Sequence, residues 1–134
     1  MVQAERYLKQ LVVDKEPYVS SAALVSGYHL AQSQAGSEVV KRWFNEIQTA
    51  LKGRDPNAQH HALGLLYHLR KTDRLSISKL VTNVTSMHLS SSYANCLLIR
   101  LVAYVISDDD GTTYKSNFHS LYLFHNNSFS NFFF

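Results

Sequence analysis

The chain repeats itself, and the repeat limits what it can fold into. Pro17 opens a stretch that passes through Ala23-Leu24 to Tyr28-His29-Leu30, and Pro56, 39 positions later, opens one that passes through Ala62-Leu63 to Tyr67-His68-Leu69. A weaker third copy follows at an offset of 36, with Ser92 where proline stood, Tyr93 in the place of Tyr18 and Leu98-Ile99 in the place of Ala62-Leu63. A unit of this length has room for two helices and a turn. It cannot bury its apolar face alone and needs a neighbour stacked on each side. A scaffold built of stacked units is therefore expected, and the chain can be a piece of a longer stack.

A period near 40 residues is that of HEAT and armadillo repeats, in which each unit is a pair of antiparallel helices. The residues fit an all-α solenoid of that kind over 1–111. A first helix is predicted over 3–13, with Tyr7, Leu8, Leu11 and Val12 on one side. Pro17 suits the first turn of the second, since proline lacks only an N–H that would be unpaired there. That helix is expected to run to Gln34 and to stop at Ala35-Gly36. Ser37 is the expected cap of a third helix whose apolar stripe is Val39, Val40, Trp43, Phe44, Ile47 and Leu51, ended by Gly53. Asp55-Pro56 starts a fourth, with Ala58, Ala62, Leu65, Leu66 and Leu69 inward. Asp73 caps a fifth, with Leu75, Ile77, Leu80, Val81, Val84 and Met87 inward. Ser90 to Ser92 open a sixth that buries Leu97, Leu98, Leu101, Val102 and Val105. No strand alternation competes over residues 1–106. At the two ends of the stack some of Tyr7, Leu11, Leu98 and Val102 should be exposed for want of a neighbour.

The character changes after Asp108-Asp109-Asp110-Gly111. Residues 112–134 hold six of the seven phenylalanines among Ser and Asn, with one basic residue, Lys115, and no acidic one. They show no helical period and are read as an irregular tail that does not extend the solenoid.

Composition closes several function classes. With 46% apolar and 17% charged residues the chain should fold rather than stay disordered. Its net charge is only +3, and the twelve basic residues before Thr112 are spread over every segment, so it lacks the tight basic stripe that nucleic acid requires. A single cysteine, Cys96, excludes an internal disulfide and suits a reducing compartment. Met1 to Gln10 has no apolar core of the kind a signal peptide carries, and no run reaches the length of a membrane span.

No residue pattern points to catalysis, a cofactor or a small-molecule substrate. Seven histidines are present, but His60 and His61 are adjacent and point about 100° apart on a helix. His61 and His68 are two turns apart, too far to share one ion. No HExxH or paired-cysteine spacing occurs. His29 and His68, at equal repeat positions, are read as inter-helix packing residues. Cys96 is expected in the core, and Trp43 and Phe44 as core anchors. Asn83-Val84-Thr85 is a glycosylation sequence placed in a helix and read as silent. Asp108 to Asp110 lack the ligand spacing of a calcium loop. Arg70, Lys71 and Arg74 cluster at a turn between two helices. They suit helix C-terminal charge compensation and are also the candidate contact to an acidic partner or a lipid headgroup.

Five segments, in order, resemble the coatomer gamma family of the COPI vesicle coat. They are Arg6-Tyr7-Leu8-Lys9-Gln10 with Val13-Asp14-Lys15; Val19-Ser20-Ser21 with Ala23-Leu24-Val25-Ser26; Val40-Lys41-Arg42-Trp43 with Asn45-Glu46; and His61-Ala62-Leu63-Gly64-Leu65-Leu66-Tyr67-His68 with Arg70-Lys71 and Asp73-Arg74-Leu75. The fifth is Tyr93-Ala94 with Cys96 and Ile99-Arg100. Together they cover about residues 4–111. The resemblance implies part of an adaptin-like trunk, non-enzymatic, acting by protein binding within a coat subcomplex. It implies other coatomer subunits and an Arf-family GTPase as partners, and a cytoplasmic location, peripheral on Golgi membrane and COPI vesicles. The family's trunk begins before the position of Met1 and continues beyond that of Gly111, and Ser92 stands where the family has proline. The competing readings are a truncated product without a function of its own and a trunk fragment of another helical-repeat adaptor.

Overall fold

A proline or a capping carboxylate opens three of the helices. The computed structural model describes residues 2–107. These form seven helices: α1 (Val2–Leu11), α2 (Pro17–Leu30), α3 (Gln34–Lys41), α4 (Phe44–Lys52), α5 (Pro56–Arg70), α6 (Arg74–Thr85) and α7 (Ser92–Ser107). Among the described residues there is no strand, and the all-α solenoid expectation holds. The tail over 112–134 and the run Asp108 to Asp110 lie outside the described residues.

The caps follow the sequence at three starts. The Asp55 carboxylate accepts from the Ala58 N–H at 2.6 Å. Asp73 accepts from the N–H groups of Leu75 and Ser76 at 3.1 and 3.4 Å. The Ser91 hydroxyl accepts from Ala94 N–H at 3.2 Å, so α7 opens as expected from the Ser90–Ser92 run. Each bond satisfies one of the orphan donors of a first helical turn.

Two parallel layers result. The helices that begin at Pro17 and Pro56 touch at Ser21–His61, where hydroxyl and Nδ1 lie 2.8 Å apart, and again at Tyr28–His68, with ring centroids 4.8 Å apart. The contacts occur in the same order along both helices, so α2 and α5 run parallel. In the same way His60 meets Tyr93, at 5.9 Å between ring centroids, and Gly64 faces Leu97, so α7 runs parallel to α5. The second layer holds α1, α3–α4 and α6. Arg42 pairs with Glu5 at 3.0 Å and Lys9 with Glu46 at 3.3 Å, which sets α1 parallel to the α3–α4 stretch. Between the layers lie the fully buried Leu24, Val40, Trp43, Ile47, Leu63, Leu66, Ile77 and Leu98. Burying each such side chain is worth roughly 1.5–3 kcal/mol.

The third predicted helix is broken in two. It was expected as one piece capped by Ser37. Instead α2 ends at Leu30, Ser33 is the cap, accepting from Gly36 N–H at 3.1 Å, and Ala35-Gly36 lie inside the first turn of α3. Gly36 is needed there for close approach, because a Cβ would collide with the Leu30 carbonyl oxygen. The chain then turns at Arg42-Trp43, where their N–H groups reach back only three residues, to Val39 and Val40. That tightening swings Trp43 fully into the core against Gly27 of α2.

The apolar stripes hold with some corrections. Leu75 is 74% exposed because it sits in the first turn of α6, ahead of the inward residues Ile77, Leu80 and Val81. Tyr7 and Leu11 of α1 are exposed, as expected at an open end, but Leu98 and Val102 are buried. Helix α7 packs on both α5 and α6, which covers that side; its exposed large apolar residues are Tyr93, Ile99 and Tyr104.

Candidate partner-binding surface

The basic turn between α5 and α6 is built around Asp73. Its N–H donates to the Arg70 carbonyl at 2.9 Å, and its carboxylate accepts the Ser76 hydroxyl at 2.5 Å as well as the two capped N–H groups. These bonds, first among them that from the Ser76 hydroxyl, favour the charged form and hold the Asp73 carboxyl below its ordinary pKa, helped by Lys79. Around this anchor the three predicted contact residues have different surroundings. The Arg70 guanidinium lies over the Phe44 ring, 4.5 Å from its centroid, a cation–π contact that ties the end of α5 to the start of α4. Lys71, at the C-terminal cap of α5, and Arg74, the first residue of α6, are exposed. Arg70 thus has a structural task on Phe44.

The histidines gather along the α2–α5–α7 layer. His68 Nε2 donates to the Ala31 carbonyl at 3.4 Å and packs on Tyr28, so it is the inter-helix residue expected. His29 is not its equivalent. It is exposed and meets only the edge of its neighbour Tyr28 among the ring contacts. His61, bonded to Ser21, has its pKa lowered, chiefly by burial, further by His60 beside it, and against the pull of Asp55. Among the described residues no three of His, Cys, Asp or Glu come together as a metal site.

Cys96 is exposed, against expectation. The buried residues of α7 are Ala94, Leu98, Leu101, Val102 and Val105. At 100° per residue Cys96 lies about 200° from both Ala94 and Leu98, on the opposite side of the helix. Its apolar neighbours in sequence gave the wrong signal; the angular position relative to the buried set would have found it.

Gln59 was missed by sequence reasoning altogether. It is 3% exposed, its amide donates to the Gly53 carbonyl at 2.7 Å, and its oxygen accepts from the N–H groups of Ser90 and Ser91 at 3.0 and 3.2 Å. It staples the turns before α5 and α7 together. A glutamine in an apolar stripe is the one signal that marks it.

The comparisons agree with this architecture. The adaptin N terminal region family matches residues 1–129. Coatomer subunit gamma of Anopheles gambiae is 54% identical over 113 residues, 84% of this chain. Coatomer subunit gamma-1 of Oryza sativa subsp. japonica is 50% identical over 117 residues, 87% of the chain, and that of Homo sapiens 49% identical over 113 residues, 84% of the chain. The chain spans only 13% of the length of each of these relatives. With its proline-started parallel helices and a family match over nearly its whole length, the chain belongs to the adaptin N terminal region family, in a stretch similar to that of coatomer gamma subunits.

Proposed function

We propose that the chain serves as a stretch of helical trunk in a COPI-type vesicle coat, a scaffold that works by protein binding and carries no catalysis. The observation that supports this best is the identity to coatomer gamma subunits at 50–54% of positions over 113 residues, 84% of the chain. Within this reading residues 1–111 supply the trunk repeats and 112–134 a tail of different composition. Stacked helix pairs hold binding surfaces at fixed spacing. Its partners are other coatomer subunits and an Arf-family GTPase, and its place is cytoplasmic, peripheral on Golgi membrane through the coat. The turn bearing Arg70, Lys71 and Arg74 is the candidate contact, with Lys71 and Arg74 reaching the partner and Arg70 fixing the turn through Phe44.

A chimera tests the reading. Residues 4–107 replace the matching stretch of a coatomer gamma subunit in cells depleted of their own. Rescue of coat assembly and of Golgi morphology is expected. A stable chimera that fails to co-precipitate the other coatomer subunits would overturn the proposal. Lys71→Glu with Arg74→Glu in the same chimera should weaken recruitment and leave the fold intact.

A further inference from the structure

Most of the outward face of the middle helix is not used by the core, with Tyr67 packing partly against it. On α5 the buried side chains are Ala58, Gln59, Ala62, Leu63, Leu65 and Leu66. His60, His61, Gly64, Tyr67, His68 and Lys71 therefore share the opposite side at 3.6 residues per turn, the first five of them half-buried. The flanking helices rise on either side. Ser21 and Tyr28 of α2 meet His61 and His68. Tyr93 and Leu97 of α7 meet His60 and Gly64. Arg100 follows Leu97 by about one turn on that side of α7 and is exposed. The floor is lowest at Gly64, where an added Cβ would find only Leu97 Cδ2 within 4 Å, at 3.8 Å. The result is a shallow channel between two parallel helices, walled by tyrosine and imidazole rings.

Its charge has one sign. Helices α2, α5, α6 and α7 contain no Asp or Glu at all. The carboxylates of the described residues lie on α1, α3 and α4, or in the turns and caps that precede α2, α5 and α6, where Asp55 and Asp73 are already bonded to helix N–H groups. Cations remain along the channel at Lys71 and Arg100. Repeats stack through their ends, so this lateral face stays open however many units flank it.

We propose that the α2–α5–α7 channel docks an acidic protein segment bearing aromatic or aliphatic side chains. The rings and the Gly64 hollow receive the apolar side chains, and Lys71 and Arg100 receive the carboxylates. An anionic membrane fits less well, because it calls for a cluster of several lysines and arginines on one surface, and the channel carries two. The inference goes beyond the scaffold reading and does not depend on it.

Fluorescence anisotropy with the purified full chain tests it. The probes are a short labelled peptide in which Glu and Asp alternate with Phe and Leu, the same peptide with Gln and Asn for the acids, and vesicles of phosphatidylcholine with phosphatidylserine. Saturable binding of the acidic peptide is expected, about tenfold weaker in K71E/R100E. Binding should vanish in Gly64→Leu, whose side chain occupies the hollow beside Leu97 Cδ2 with a better helix former; helicity and melting temperature are read on the same variant. The charge-reversed variant should instead bind a Lys-bearing peptide. Equal binding of the acidic and amide peptides would overturn the proposal. So would undiminished binding by a folded Gly64→Leu variant, or a preference for the vesicles.

Discussion

Pro17 and Pro56 open helices of 14 and 15 residues with matching sequence, yet the second halves of the two repeats differ: α5 is followed by one helix, α6, and α2 by two, α3 and α4. The starts differ as well. Asp55 caps α5 through its side chain, whereas Glu16 makes no side-chain bond to α2. The cause of the broken second half is one residue. Trp43 is the largest fully buried side chain, and its indole lies where a Cβ on Gly27 would come within 3.2 Å. Matching sequence therefore sets the helices of the first layer, and one oversized anchor sets the geometry of the second.

Removing the anchor should have the largest effect. Trp43→Ala is expected to cost about 3–5 kcal/mol, measured by denaturant unfolding, and an equal cost for Leu80→Ala in the second repeat would break the contrast. Gly27→Ala comes next. Trp43 and Leu65 flank it, both fully buried and unable to yield, so about 1–3 kcal/mol should be lost. Gly64→Ala, in the other repeat, where an added Cβ meets Leu97 Cδ2 at an ordinary 3.8 Å, should gain about 0.5–1 kcal/mol. Opposite signs at the two glycines would sharpen the comparison, and like signs would blunt it.

The caps provide a smaller difference. Asp55→Ala should lower stability by about 1 kcal/mol, while Glu16→Ala should stay within about 0.5 kcal/mol; thermal melts of the two variants read this directly. Smallest is the effect of pH on the seam between the repeats. Burial holds the His61 imidazole below its ordinary value, so the unfolded chain binds this proton at a higher pH than the folded one. The contribution is present above the ordinary histidine range, near pH 6.5, and is lost as pH falls through it toward the lower folded value. His61→Asn should flatten this part of the acid limb of melting temperature against pH, and an unchanged slope would show that the seam does not titrate.

Much of this was legible in the residues. Pro56 with Asp55, Asp73 before α6 and the serine run before α7 all mark starts that the structure keeps, because caps act within one turn and need no distant partner. The parallel α2, α5 and α7 follow from the repeat itself. What failed depended on distant contacts. The period of the stretch from Val39 to Leu51 is helical throughout, and only the depth of the pocket for Trp43 breaks it. Cys96 and Leu75 look apolar in sequence and lie outward, since side-chain type does not say which part of a stripe the neighbours reach. The basic turn was found as a cluster, but the task of Arg70 on Phe44 rests on a side chain 26 residues earlier in the chain.

The sequence by itself determined the helical class, the repeat length, and both the starts of α2, α5, α6 and α7 and the absence of carboxylates from them. Those properties are local or compositional, and local energies decide them. The tertiary structure alone decided the break at Arg42-Trp43, the staple of Gln59 on Ser90 and Ser91, and the channel over Gly64. Each of these requires two segments about 16 to 33 residues apart to meet at van der Waals or hydrogen-bond distance, and which atoms meet is fixed only when the layers close.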